Sequence, residues 1–224
     1  MARRSGPIRL NHEIAKSEDE IIRLLKAAAE SYNRYLNKKL LFIFHENKKD
    51  PIYDCYEVFF GKENFIHLSG FSRGDISALE FFDKCLDGSL LLKEARYSEN
   101  VKSASAKLDV LSNLLDYKNA VIYRMGEADF ITLKNRFEVA IGRDNGLMGF
   151  DKRKNGLPIP VTVIKGDLYD YVSTPQKVVA VLAKNKYDEY YDTLLGGPKQ
   201  GLVVSVLPEK IRKKLSPNVS AILK

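Results

Sequence analysis

The residues best suited to chemistry lie together in NFIHLSG, Asn64 to Gly70, and in the segment just after it. His67 supplies an imidazole, Ser69 a hydroxyl, Arg73 a guanidinium, and Asp75 a carboxylate that can cap a following helix. A neutral histidine can take the proton of a ribose 2′-hydroxyl, or protonate a leaving oxygen once it is charged. A guanidinium stabilises charge building on phosphorus, and the amides of a helix N-terminus favour an anion. That mixture suits work on a phosphodiester. The same histidine, flanked by Ile66 and Leu68, also fits a hydrogen-bonded core or edge residue.

The elements that must position these groups follow from periodicity. If Phe65–Ser69 is a strand, residues 65, 67 and 69 share one face, so His67 and Ser69 point the same way at a strand end, and Gly70 lets the chain turn. Upstream, SEDE is a capping-box pattern, and Ile21, Leu25, Ala28, Tyr32 and Tyr35 at helical spacing predict a helix over 18–37. That spacing favours Tyr32 and Tyr35 as core over base-stacking residues. KLLFIFH (39–45) and IYDCYEVFF (52–60) read as a hairpin around ENKKD. His45, at the end of the first of these strands, is a further acid–base candidate, with the adjoining turn favouring a solvent-exposed side chain. Ala78, Leu79, Phe82 and Leu86 predict a helix from Asp75 to Gly88, and Val101, Ala104, Leu108, Leu111 and Leu115 another over about 101–116. Strands are expected at 120–124, 136–141, 147–152, 160–165 and 177–183, with a mixed tail from about 187 in which PEKIRKK opens a short basic helix at Pro208. The fold class is α+β: an antiparallel sheet packed in two layers against several helices, over 17–224, preceded by a flexible basic arm at 1–16.

Composition narrows the chemistry. The chain has 224 residues, 45% hydrophobic and 29% charged, which is ample for a core, and a formal net charge of +7 favours anionic partners, nucleic acid before membrane. Cys55 and Cys85 are too few for a disulfide framework and are read as buried thiols, and the three histidines show no zinc-ligand spacing with them. No phosphate loop, GxGxxG, GxSxG or HExxH is present, and Asp144, Asp151, Asp167 and Asp170 fall in turns without metal-site spacing. No cofactor and no metal are therefore expected. MARRSGPIRL lacks the apolar run of a signal peptide, and no segment approaches the ~18–20 apolar residues of a membrane span, so a cytoplasmic protein with no membrane partner is expected.

FIHLSG, with ALEFFDKCLDG after it, resembles the F-x-HL-[ST]-G signature of the phage-type nucleases of the barnase–EndoU–colicin E5/D–RelE superfamily, in their fourth subgroup. The likeness takes in the aromatic hairpin KLLFIFHENKKDPIYDCYEVFF and the later FEVAIGRDNGLMGF and PIPVTVIKGDL, and covers about residues 25–185. It implies a compact α+β fold and metal-independent ribonuclease activity. His67 matches the signature histidine, and Ser69 stands where Thr is common, keeping the hydroxyl. Arg143, Thr162 and Lys165, polar groups near strand ends, join Arg73 as candidates for phosphate contact on residue chemistry alone.

The resulting expectation is a metal-independent endoribonuclease of a phage or mobile element acting on RNA in the bacterial cytosol, with an antitoxin or host protein as a further partner. Its rival is a non-catalytic phage protein of the same fold that binds and blocks a host factor or nucleic acid; no second catalytic group pairs with His67 in the sequence. Transfer chemistry on a nucleotide, with His67 orienting a ribose, is a third reading.

Overall fold

A computed structural model describes residues 16–46, 52–129, 137–151, 156–197 and 202–223. Helix α1 (Glu18–Asn33) begins at the expected capping serine, with Ser17 accepting from the Glu20 amide. It buries Ile21, Leu25, Ala28, Ala29 and Tyr32 along one stripe, as the spacing predicts. Strands β1 (Lys38–His45) and β2 (Tyr53–Phe59) form the expected antiparallel hairpin, with Ile43 opposite Cys55. Helix α3 (Ala78–Asp87) ends at Gly88 with φ of 83°, but its cap is Ser77 rather than Asp75. Helix α4 (Val101–Leu114) starts under an Asn100 cap. Both helices follow a two-residue strand, β3 (Phe71–Ser72) and β4 (Arg96–Tyr97), and these two pair with each other.

The main sheet adds β5 (Arg124–Glu127), β6 (Val139–Arg143), β7 (Gly146–Asp151), β8 (Ile159–Lys165), β9 (Gln176–Asn185) and β10 (Thr193–Gly196). All its pairings are antiparallel, in the order β2-β1-β9-β5-β6-β7-β8, with β10 also on β9. The expected strand at 120–124 is mostly a 3-10 turn over Tyr117–Ile122, and the extended segment begins only at Arg124. The sheet curls until its edges meet: the Phe59 amide at the end of β2 donates to the Pro158 carbonyl just before β8, at 2.9 Å.

Two layers were expected, and three are found. One sheet face, with Leu40, Phe42, Val58, Met148 and Val163, packs on α1, α3 and α4. Along β1 and β9 the opposite face, with Leu41, Ile43, Ala180 and Leu182, is covered by the C-terminal tail through Leu207, Ile211, Leu215, Val219 and Leu223. Strands apolar on both faces need a cover on each, so the mixed tail is a layer of the core. Its short helices are α5 (Glu209–Arg212) and α6 (Pro217–Ile222), the first opening after Pro208. Tyr32 and Tyr35 are buried, their hydroxyls donating to the carbonyls of Gly61 and Leu115 at 2.8 Å each. Cys85 is buried and Cys55 half-buried, and both are free thiols. The basic arm lies outside the described residues except for Lys16, which pairs with Asp109 at 3.1 Å.

Candidate functional site

The turn that carries His67 is helical, not extended. A 3-10 turn at Lys62–Asn64 runs into α2 (Phe65–Leu68). At 3.6 residues per turn, Phe65, Ile66, Leu68 and Ser69 fall on one side and His67 on the other. All four are fully buried, and His67 is exposed. The strand reading fails because it would turn Phe65 outward with His67, and Phe65 instead packs on Phe81 and Phe82. His67 and Ser69 therefore do not share a face. The Ser69 hydroxyl donates to the Ile66 carbonyl at 2.8 Å, tying the end of the turn to its start.

Gly70 has φ of 87°, a left-handed conformation that suits glycine. A Cβ there would lie 2.7 Å from Ala104 Cα and 3.3 Å from Lys107 Cδ, so the turn is pressed onto α4. The Ser98 amide donates to the Gly70 carbonyl at 2.9 Å, and Phe71 stacks on Tyr97 with ring centroids 4.7 Å apart. These contacts fix β3, and with it the exposed Arg73 that follows.

Two cations, Lys107 and Arg73, act on the His67 imidazole. Although its ring reaches solvent, partial desolvation by the surrounding protein first, then the charges of Lys107 and Arg73, holds His67 below the usual imidazole range, which favours its neutral form. Lys107 was missed in the sequence. It lies three residues after Ala104 and one before Leu108, both inward-facing, so it sits on the rim of the buried stripe, and that position was its signal. Burial pulls its ammonium below the usual lysine range, with Glu99 opposing.

The other candidates are placed elsewhere. Lys165, at the end of β8, pairs with Asp109 of α4 at 3.0 Å, and Asp109 also holds Lys16. Arg143 lies at the far end of α4: its guanidinium sits over the Tyr123 ring at 5.3 Å, bonds Asp144 at 3.0 Å and reaches the Asn113 and Asp116 carbonyls. It caps a helix C-terminus, a favourable place for a cation. Thr162 faces away from the helical layer, because Val163 beside it points into that layer and neighbours alternate along a strand. His45 stacks edge-on against Tyr53, at the opposite end of β1 from the Phe59–Gly61 corner that leads into α2. The structure thus sets the stem of Lys107 against the turn that carries His67, with Ser69 buried beneath and the charge of Arg73 acting on the ring, and leaves Arg143 and Thr162 apart from them.

A large antiparallel sheet backed by several helices is consistent with a nuclease fold of the barnase–EndoU–colicin–RelE type. The chain belongs to the phage-Barnase-EndoU-ColicinE5/D-RelE like nuclease 4 family, whose model matches residues 24–195. Nucleic acid is the substrate class that such a family implies. No curated protein and no solved structure matched the chain. His67, Arg73 and Lys107 all lie inside the matched region, and the covering tail at 202–223 lies beyond it. Among the described residues, no helix is long and apolar enough to cross a membrane.

Proposed function

We propose that the protein is a metal-independent endoribonuclease, encoded by a phage or mobile element and acting on RNA in the bacterial cytosol. The observation that carries this reading is a neutral-leaning, exposed His67 beside two cations, Arg73 and Lys107. A base with that environment can accept the 2′-hydroxyl proton. Arg73 can hold the phosphate as negative charge builds on it, which is the part a metal ion plays elsewhere. Ser69 acts from beneath by fixing the turn. Lys165, at the end of β8 and paired with Asp109 of α4, is assigned to a neighbouring phosphate; Arg143 and Thr162 are not given a part. The family's phage-type description supports the proposed origin, and a host protein or antitoxin remains the proposed protein partner.

The test is cleavage of RNA by the purified protein in EDTA. Cleavage by the wild type and its loss in His67→Ala is the expected result; no cleavage by the wild type, or equal cleavage by both, overturns it. One observation favours a second reading, a non-catalytic binder of the same fold. Among the described residues, no side chain hydrogen-bonds to the His67 ring, so nothing orients it as an acid–base group. That reading expects a salt-sensitive RNA complex without cleavage, or a stable complex with a host protein.

A further inference from the structure

Lys107 is a half-buried cation for which the described residues provide no ion-pair partner. Among the described residues it makes no hydrogen bond and no ion pair. A lysine taken partly out of water ordinarily has a carboxylate partner. Asp109, two residues on, is already held by Lys16 and Lys165 at 3.1 and 3.0 Å. The charged groups that bear on Lys107 are Glu99, just before α4, which acts only through space, and His67, whose own proton affinity it lowers. Arg73 adds a second full positive charge beside His67. The stem of Lys107 lies against the turn that carries His67, at the point where Gly70 lacks a side chain. Lys107 is therefore packed against the turn that carries the imidazole, and among the described residues no hydrogen bond or ion pair holds its ammonium.

We propose that Lys107 is the second proton carrier of the cleavage reaction, the general acid that protonates the leaving 5′-oxygen. The proposal rests on the ribonuclease reading and supplies the group which that reading lacks. The 2′-oxygen bonds to phosphorus as its proton passes to the unprotonated nitrogen of His67. The bond from phosphorus to the 5′-oxygen breaks, and that oxygen takes a proton from Lys107 Nζ. The products are a 2′,3′-cyclic phosphate and a free 5′-hydroxyl, leaving a charged imidazole and a neutral amine. Return of one proton through solvent restores the resting state, and no oxidant or co-reactant is needed. The partial burial of the ammonium makes it a stronger acid than a solvated lysine, which suits the task.

The experiment compares two oligoribonucleotides in EDTA, one with the ordinary linkage and one in which sulfur replaces the bridging 5′-oxygen, a leaving group that departs without a proton. Lys107→Ala should lose about 10²-fold or more on the oxygen substrate and under about tenfold on the sulfur one. His67→Ala should lose activity on both. Lys107→Arg keeps the charge and the stem, but a guanidinium does not give up its proton, so it should fail on the oxygen substrate alone. It also carries the test if the alanine variant does not fold. Equal losses on both substrates, or no loss on either, overturn the assignment of Lys107 while leaving His67 and the nuclease reading intact. A wild type that cleaves neither substrate overturns the ribonuclease reading, and this assignment with it.

Discussion

Ser69 Oγ donates to the Ile66 carbonyl at 2.8 Å, so the hydroxyl two residues beyond His67 points into the protein while the imidazole points out. Ser69→Ala should therefore lower stability by about 1–2 kcal/mol, because it leaves a buried carbonyl without its donor. Urea denaturation measures this. Cleavage at a temperature where the variant stays folded should fall by less than about tenfold, well short of the loss of a proton-transfer group. A much larger loss without loss of stability would return Ser69 to a direct part in the reaction.

His67 sits below its ordinary pKa because of burial and the charges of Lys107 and Arg73. The unfolded chain, with an imidazole near about 6.5, then binds more protons than the folded one at and just below that pH. Stability contributed by this group rises with pH through that window and is lost as the pH falls. NMR titration should place the folded value below that of a free histidine. Arg73→Gln should move it upward, and an unmoved value would show that the guanidinium does not act on the ring.

Gly70→Ala should destabilise the protein by about 2–4 kcal/mol, since it combines a left-handed backbone with overlap on α4. The overlapping atom is backbone, Ala104 Cα at 2.7 Å, which no rotamer change can relieve. A variant of wild-type stability would mean that the turn is not pressed on the helix. Because that contact also places Lys107, cleavage should fall even when folding is retained.

Glu57 on β2 ties the C-terminal layer down, accepting from Lys214 at 2.9 Å and from the Tyr191 hydroxyl at 2.8 Å. Burial works against its charge, but these hydrogen bonds outweigh it and hold the carboxyl below its usual range. Its contribution is therefore present above the unfolded carboxyl value, about 4.3, and fades as the pH falls through the folded one. Glu57→Gln should melt lower than the wild type at pH 7, with the gap closing below about pH 4. A chain ending before residue 202 should expose Leu41, Ile43, Ala180 and Leu182 and aggregate in light scattering, although the family-matched region is intact.

Most of the regular elements were legible in the sequence because their signals are local. The α1 stripe, the β1–β2 hairpin and the stop of α3 at Gly88 each depend on residues within a few positions of one another. The family was legible in FIHLSG and the ordered segments after it. The turn itself was misread because an apolar run of four or five residues suits a strand or a helical turn equally; only the core, by burying Phe65 and Ser69 together, decided between them. The second cover of the sheet was hidden for a similar reason, since the tail has no strong period and reveals its apolar side only against β1 and β9.

The sequence by itself determined which residue types were on offer: one histidine on an apolar turn, a basic surplus, and no metal or nucleotide signature. Only the tertiary structure decided their company. It turned Ser69 inward, set Arg143 at a helix end and Lys165 on Asp109, and brought Lys107 from a distant helix to the turn that carries His67. The physical reason is that a side chain's direction in a short turn, and the charge beside it, are set by what packs underneath, and here that is α4, pressed on the backbone at Gly70.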